Sequence, residues 1–304
     1  LAVLADGRVV LRDPANARMQ VFTADGAPLA TWPIRGNFNT SNPLVVDTAG
    51  RVYTQVLLDP EASIGDWRIG LVAYETENGA PVDTLAAPTW DYEEDRLVAQ
   101  QETDGGTNTS INTVPFSPAA HWAFSPLGYF VGGVSTEYTI DLYHRDGSVL
   151  RIERRHDPVP VSAGEKADRE AIARWNMRQT QPDWTWNGPA IPDEKPPFRR
   201  LYVASDGRIW VLLSTPGERI PEAEVAASAD GPNPRPPDRW REPVAFDVFE
   251  PDGTYLGRVD GPAELSLSTT PVFAGDRVWA VVRDELDVQY VVRYRVVFPG
   301  GGPG

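Results

Sequence analysis

The sequence predicts an all-β fold, a β-propeller of four-stranded antiparallel blades, and three observations carry that prediction. A short apolar strand ending in a small residue, Asp or Asn, and Gly recurs five times, each time followed by a second strand. Periods of about 40 residues mark repeat architectures, and Asp-Gly or Asn-Gly supplies the positive φ that two-residue hairpin turns require. Alternation such as Val244, Phe246 and Val248 against Ala245, Asp247 and Phe249, beside apolar runs such as WVLL, suits strands packed face to face between blades.

The units follow in order. Residues 1–32 form the clearest copy, with two ADG turns between strands of four to six residues. Unit two runs from Leu44 to Leu85, its first hairpin VVDTAGRVYTQVLL and its second WRIGLVAYETENGAPVDTL. Unit three covers 121–154. Unit four begins at 200–214, is interrupted, and resumes at 244–259. Unit five, LSTTPVFAGDRVWAVVRDELDVQYVVRYRVV, supplies three strands and stops before a Gly/Pro tail at 298–304. A closed ring leaves no sheet edge exposed, so a strand from upstream of Leu1 is expected to complete unit five or begin another blade. Six blades are expected, in a single domain spanning 1–304.

Residues 18–26, RMQVFTADG, preceded by DGRVVLRD, resemble the NHL-type and related TolB-like six-bladed propellers, whose blades carry DG, a strand, then R-x-x-V-F-x-x-x-G. In later units the phrase decays to LVAYETENG, IDLYHRDG and AFDVFEPDG, keeping strand and turn but losing the Arg. The resemblance implies fold more specifically than function, because propellers host many unrelated activities.

Composition excludes several functions. Twenty-eight Lys and Arg stand against 43 Asp and Glu, a net charge of −15, and phosphate binding needs clustered cations. Nucleic acid is therefore not the partner. With no Cys there is no disulfide, thiolate nucleophile or Cys-ligated metal, and no apolar run approaches the roughly 20 residues of a transmembrane helix. The chain opens on Leu inside a strand, which suggests an upstream segment and a protein exported to the periplasm or outside the cell.

Propeller topology places first-to-second and third-to-fourth turns on one face, and second-to-third turns and inter-blade connections on the other. The short DG-type turns share the first face. The long insertions, 59–66, 86–120, 155–199 and 215–243, all fall on the second, and such elaboration marks a binding face. The 155–199 insertion holds the one convincing helix, at 163–179, with Ser162 and Glu165 as a capping box and Ala167, Ala171 and Trp175 on one stripe beside Ile172. Five of the ten tryptophans, Trp90, Trp175, Trp184, Trp186 and Trp240, lie in insertions. Tryptophan and arginine are typical interface anchors, so these five and Arg241 are the expected partner-binding residues. The acidic run DYEEDR at 91–96 is a solvated loop or a docking site for a basic partner or a divalent cation. Segment 215–243 has too little apolar content to form a core. It and the Gly-rich tail are expected to be restrained by contacts that offset their ordering entropy.

Catalytic signatures are lacking. No G-x-S-x-G elbow occurs. The lactonase-like relatives that the resemblance brings in hold calcium in the channel with Glu, Asn and Asp, for which Asn42, Asp47, Asn112 and Glu137 are weak candidates without a selecting spacing. His144 and His156 flank one outer strand while His121 begins an inner one, a poor zinc set. The sequence thus points to a non-enzymatic binding or scaffold module without cofactor, an accessory subunit docking a larger, membrane-associated protein complex. A metal-dependent lactonase or hydrolase, and carbohydrate or peptide capture by the tryptophan-rich loops, are the alternatives.

Overall fold

A computed structural model describes residues 1–34, 43–62, 67–225, 234–284 and 288–298. Asn42, the middle of the 215–243 insertion and most of the 298–304 tail lie outside the described residues, so the expected restraint of those segments does too.

The fold is a β-propeller of antiparallel sheets. Blade 1 consists of Ala2–Val3, Val9–Asp13, Arg18–Phe22 and Pro28–Pro33; blade 2 of Val45–Val46, Val52–Leu57, Ile69–Tyr74 and Pro81–Ala86. Blade 3 holds Ala120–Phe124, Phe130–Val134, Thr139–Tyr143 and Val149–Glu153, and blade 4 Phe198–Val203, Ile209–Leu213, Ala245–Phe249 and Tyr255–Asp260. Blade 5 has three strands, Val272–Ala274, Arg277–Arg283 and Gln289–Arg295. The described residues therefore form five blades, not the six expected. The remaining described strands pair only with one another in two-stranded ribbons, so among the described residues no further strands build a sixth sheet.

Turn chemistry explains why the hairpins close. The DG-type glycines adopt the positive φ that a Cβ would penalise. At Gly79, with φ of +68°, a Cβ would also overlap the Trp32 ring, so this turn demands glycine twice.

Apolar clusters fill the spaces between successive blades. Val10, Met19 and Trp32 meet Val52 and Val72 between blades 1 and 2, and Tyr53 and Ala73 meet Phe124 and Phe130 between blades 2 and 3. Ile140 and Leu142 meet Val211 and Phe249 between blades 3 and 4, and Trp210 and Phe246 meet Phe273 and Val278 between blades 4 and 5.

The helix α1 runs Ala163–Arg178, close to expectation, with the capping box formed in both directions. Its buried face differs from the expected one. Glu165, Asp168, Ile172, Ala173 and Met177 are buried, whereas Ala167 and Ala171 are exposed and Trp175 is half-buried. The reason is polar: Glu165 and Asp168 have bonded partners inside, so the inward stripe does not read as hydrophobic.

Candidate functional site

The insertions assemble over blades 3 and 4 into a layer with its own core. Within 86–120, Arg96–Thr103 and Gly106–Thr113 form a long hairpin about an Asp-Gly-Gly turn. From it Leu97, Ala99 and Val114 pack against Ala173 and Met177 of α1 and against Trp184 and Ile191. The 215–243 insertion adds the ribbon Glu218–Arg219 with Trp240–Arg241. It grips the helix: Arg169 Nη1 donates to Asp238 at 2.8 Å, the Arg239 amide donates to Asp168 at 3.1 Å, and the Trp240 ring lies over Gly164, where a Cβ would come within 2.7 Å of it.

Beneath this layer sits a buried ionic centre. Lys195 Nζ, with no exposed side-chain surface, donates to Glu165 Oε1 at 2.6 Å and to the Thr215 carbonyl at 2.9 Å, and lies 3.6 Å from Glu242 Oε1. Arg199 Nε stands 3.4 Å from the other Glu242 oxygen, which also accepts the Thr215 amide at 3.0 Å. Two cations thus face two carboxylates. Burial works against ionising Glu165, yet the Lys195 hydrogen bond and the Ser162 backbone hold its carboxyl below the usual value. One ion group ties the helix, the 192–197 strap and both ends of the 215–243 insertion to blade 4.

Another carboxylate is buried between blades 3 and 4. Asp247, on the third strand of blade 4, accepts Tyr138 Oη and Tyr255 Oη at 2.8 Å each and pairs with Arg154 at 3.2 Å, and that guanidinium lies 3.6 Å over the Tyr255 ring. Burial and the adjacent Asp247 charge push the Tyr138 phenol far up. The equivalent Asp141 of blade 3 is held within its own blade by a bidentate Arg151 at 2.8 and 2.9 Å.

Beside this network opens a cleft of about 740 Å³ on the insertion-bearing face. Its walls come from the blade 3 turn (Thr136, Glu137), the exit of blade 3 (Arg155, His156) and a rigid proline strap (Pro192, Pro196). His156 Nε2 is buried without a hydrogen-bond partner among the described residues, and burial lowers its pKa against the opposing pull of Asp157 and Asp247. Chemically the cleft offers an imidazole whose charged form burial disfavours, three exposed carboxylates (Glu137, Glu153 and Glu194), the exposed Arg155 cation and proline surface.

The expected anchors lie in different settings. Trp184 is buried in the insertion core, its Nε1 donating to the Val98 carbonyl at 2.8 Å. Trp186 is half-buried against Trp184, and Trp240 is half-buried over α1, while Arg241 is exposed and 3.3 Å from Glu224. Trp90 seats on Gly132 and donates to Tyr143 Oη at 3.2 Å. The acidic run is stitched inward: Glu94 accepts the Ala120 amide and Asp95 accepts Ser117 Oγ.

The weak metal candidates are not brought together. Asp47 accepts two amides and Tyr53 Oη in a turn of blade 2, Asn112 lies on the long hairpin against Met177 sulfur, and Glu137 is exposed at the cleft. No cluster of three or more His, Cys, Asp or Glu suited to a metal occurs among the described residues. The histidines are dispersed: His121 rests on Phe198, His144 on Tyr129, His156 in the cleft. Reading the sequence missed Lys195, Glu242, Tyr138 and Arg154. One signal was available, since Lys195 is one of only two lysines in a chain that otherwise uses Arg.

No protein-family model matches this sequence, and no curated protein is similar to it in sequence. Solved structures of similar shape include a member of the DUF4221 family from Bacteroides vulgatus (7% identity, TM-score 0.44, covering 97% of this chain and 80% of that one). A protein of unknown function from Bacteroides caccae has 8% identity and a TM-score of 0.33, with 96% and 92% covered. Virginiamycin B lyase from Staphylococcus aureus has 12% identity and a TM-score of 0.27, with 97% and 83% covered. Among the described residues no helix is long and apolar enough to cross a membrane.

Proposed function

We propose that this propeller is a non-enzymatic binding module that docks a protein partner through its insertion-bearing face, as an exported accessory subunit of a larger assembly. The six-bladed NHL-like affinity read in residues 18–26 belongs to the same proposal. The observation that carries it is asymmetric construction. One face consists of short glycine turns. The other carries three insertions welded into one layer by a hydrophobic core and an ionic centre, which pre-organises a surface and lowers the entropy lost on binding. Trp186, Trp240 and Arg241 retain exposure on that layer and are the anchors proposed.

Alanine substitutions test this directly. Trp186→Ala, Trp240→Ala and Arg241→Ala should each weaken co-purification with the native partner, with far-ultraviolet circular dichroism unchanged. Asp146→Ala and Asp252→Ala in the opposite turns should leave it intact. If the turn-face changes abolish association and the insertion-face changes do not, the proposal fails.

A further inference from the structure

The cleft beside the blade 3–4 junction keeps its shape because both of its walls end in buried bonds. On one side Tyr138 is buried and held by Asp247. On the other, Lys195 is buried and fixed by Glu165 and the Thr215 carbonyl, and it carries its neighbour Glu194 in the ribbon Val159–Pro160 with Glu194–Lys195. Pro192, Pro196 and Pro197 stiffen that wall, since each ring locks its φ. A concavity of about 740 Å³ anchored in this way loses little freedom when something enters it.

The charges on the walls do not balance. Lys195 is already neutralised by Glu165 and Glu242, and Arg154 by Asp247. Arg155 is the remaining cation, exposed and without a partner among the described residues. Against it stand three exposed carboxylates. Glu137 and Glu194 have no cation or hydrogen-bond donor within reach among the described residues. Glu153 has Arg151 at 3.9 Å, a guanidinium already bonded twice to Asp141.

His156 adds an observation of a different kind. Its Nε2 is buried without a hydrogen-bond partner among the described residues, in a ring whose centre stands 6.4 Å from that of Tyr138. Buried polar atoms are seldom left unpaired. Burial disfavours the charged ring, and a neutral imidazole has one nitrogen free to accept. The cleft therefore suits a group that brings positive charge and N–H donors, whereas an anion would meet the carboxylates. Its volume is that of a ligand site rather than of one side chain, so the cation arrives on a stretch of chain.

We propose that the cleft receives a basic side chain, arginine or lysine, from an extended segment of the protein docked on this face. The cation balances Glu137, Glu153 and Glu194 and donates to His156 Nε2, and its aliphatic stem lies along the prolines of the strap. Such a segment belongs to the partner proposed above, so this pocket rests on that reading and adds what the partner must present there.

The imidazole reports on the pocket directly. The 304-residue chain, labelled with nitrogen-15 in its histidine rings, is titrated with acetyl-Gly-Gly-Arg-Gly-Gly-amide, its lysine counterpart and its glutamate counterpart. Concentrations run to about 10 mM, a range that reaches millimolar sites. His156 is assigned as the signal missing from His156→Gln. It should shift saturably with a basic peptide and stay still with the glutamate peptide, while His144, in a turn of the opposite face, stays still throughout. The tighter of the two basic peptides identifies the side chain. Glu137→Gln combined with Glu194→Gln should weaken that peptide about five-fold, Arg155→Gln should tighten it about two-fold, and Glu77→Gln on the turn face should do neither. No saturable shift with either basic peptide, an equal shift with the glutamate peptide, unchanged affinity in the double variant, or weaker binding in Arg155→Gln would each overturn the inference. Co-purification separates the pocket from the docking reading. If the double variant keeps the native partner and Trp186→Ala loses it, the face docks and the basic pocket is refuted. If Trp186→Ala, Trp240→Ala and Arg241→Ala all keep the partner while the basic peptide still saturates His156, the docking reading falls and the pocket stands.

Discussion

The junction of blades 3 and 4 and the seam between blades 5 and 1 are built from the same repeat and finished in opposite ways. At the first, apolar side chains surround two buried carboxylate networks, and three insertions seal the end of the interface. At the second, two sheet faces carry exposed apolar side chains, and the described residues form no apolar cluster between them. A blade face is therefore not stabilised by its own sequence alone. It needs a neighbour that brings apolar volume, and among the described residues blades 2, 3 and 4 have one on each side.

The comparison breaks most readily at Lys195. Removing the cation leaves Glu165 and Glu242 facing each other in a dry site with only Arg199 to balance them. Loss of one partner from a buried ion group costs about 3–5 kcal/mol. Lys195→Met should lower stability to urea by that order and detach α1 from blade 4, seen as faster hydrogen exchange in 163–178. No substitution on the free faces of blades 1 and 5 should approach this.

Asp247 comes next. Asp247→Ala strands the buried Tyr138 phenol and the half-buried Arg154 guanidinium at the blade 3–4 junction, while the exposed Tyr255 returns to water, and orphaned buried polar groups cost about 1–3 kcal/mol. Asp141→Ala should cost less, because its Arg151 partner is exposed and returns to water. Equal losses at the two aspartates would show that bridging between blades adds nothing to bonding within one.

How legible this was in the sequence follows from the type of signal. The blades could be read because hairpin turns are local: an Asp-Gly pair fixes φ whatever surrounds it. The capping box of α1 was likewise local. The buried face of α1 was not, because Glu165 and Asp168 look like solvent residues until Lys195 and the Arg239 amide, 30 and 71 residues away, are brought to them. The long hairpin of 96–113 did have a local signal, an Asp-Gly-Gly turn between alternating strands, but low apolar content in QQET and TNTS hid it among insertion residues. The blade count went astray because an expected ring closure stood in for strands that the described residues do not supply.

Acid should separate the two regions as well. His121, on the innermost strand of blade 3, has its pKa lowered to about 4 by burial and then by the Arg200 charge. Between pH 6.5 and about 4 the unfolded chain binds a proton there that the folded chain refuses, so stability falls as pH drops through that window. Glu165 acts on the same side: its depressed pKa contributes stability above the usual value of 4.5 that is lost as pH falls below it. Urea midpoints taken from pH 7 to 4 should decline, with His121→Gln flattening the upper part of the window by about 1 kcal/mol after screening. A variant with an unchanged slope would remove His121 from the account.

The smallest expected effect sharpens the contrast furthest. Val291→Thr and Leu11→Thr replace apolar side chains at the walls of the open seam by a polar one. Surface substitutions away from special features change stability by no more than about 0.5 kcal/mol. In the purified chain these two should therefore be silent, since solvent already reaches both positions. Val211→Thr, a buried swap in the blade 3–4 cluster, should cost about 1–3 kcal/mol, because it buries a hydroxyl where no partner waits. If Val291→Thr or Leu11→Thr lowers the thermal midpoint of the purified chain as much as Val211→Thr does, those two faces are desolvated in solution and the contrast between the junctions fails.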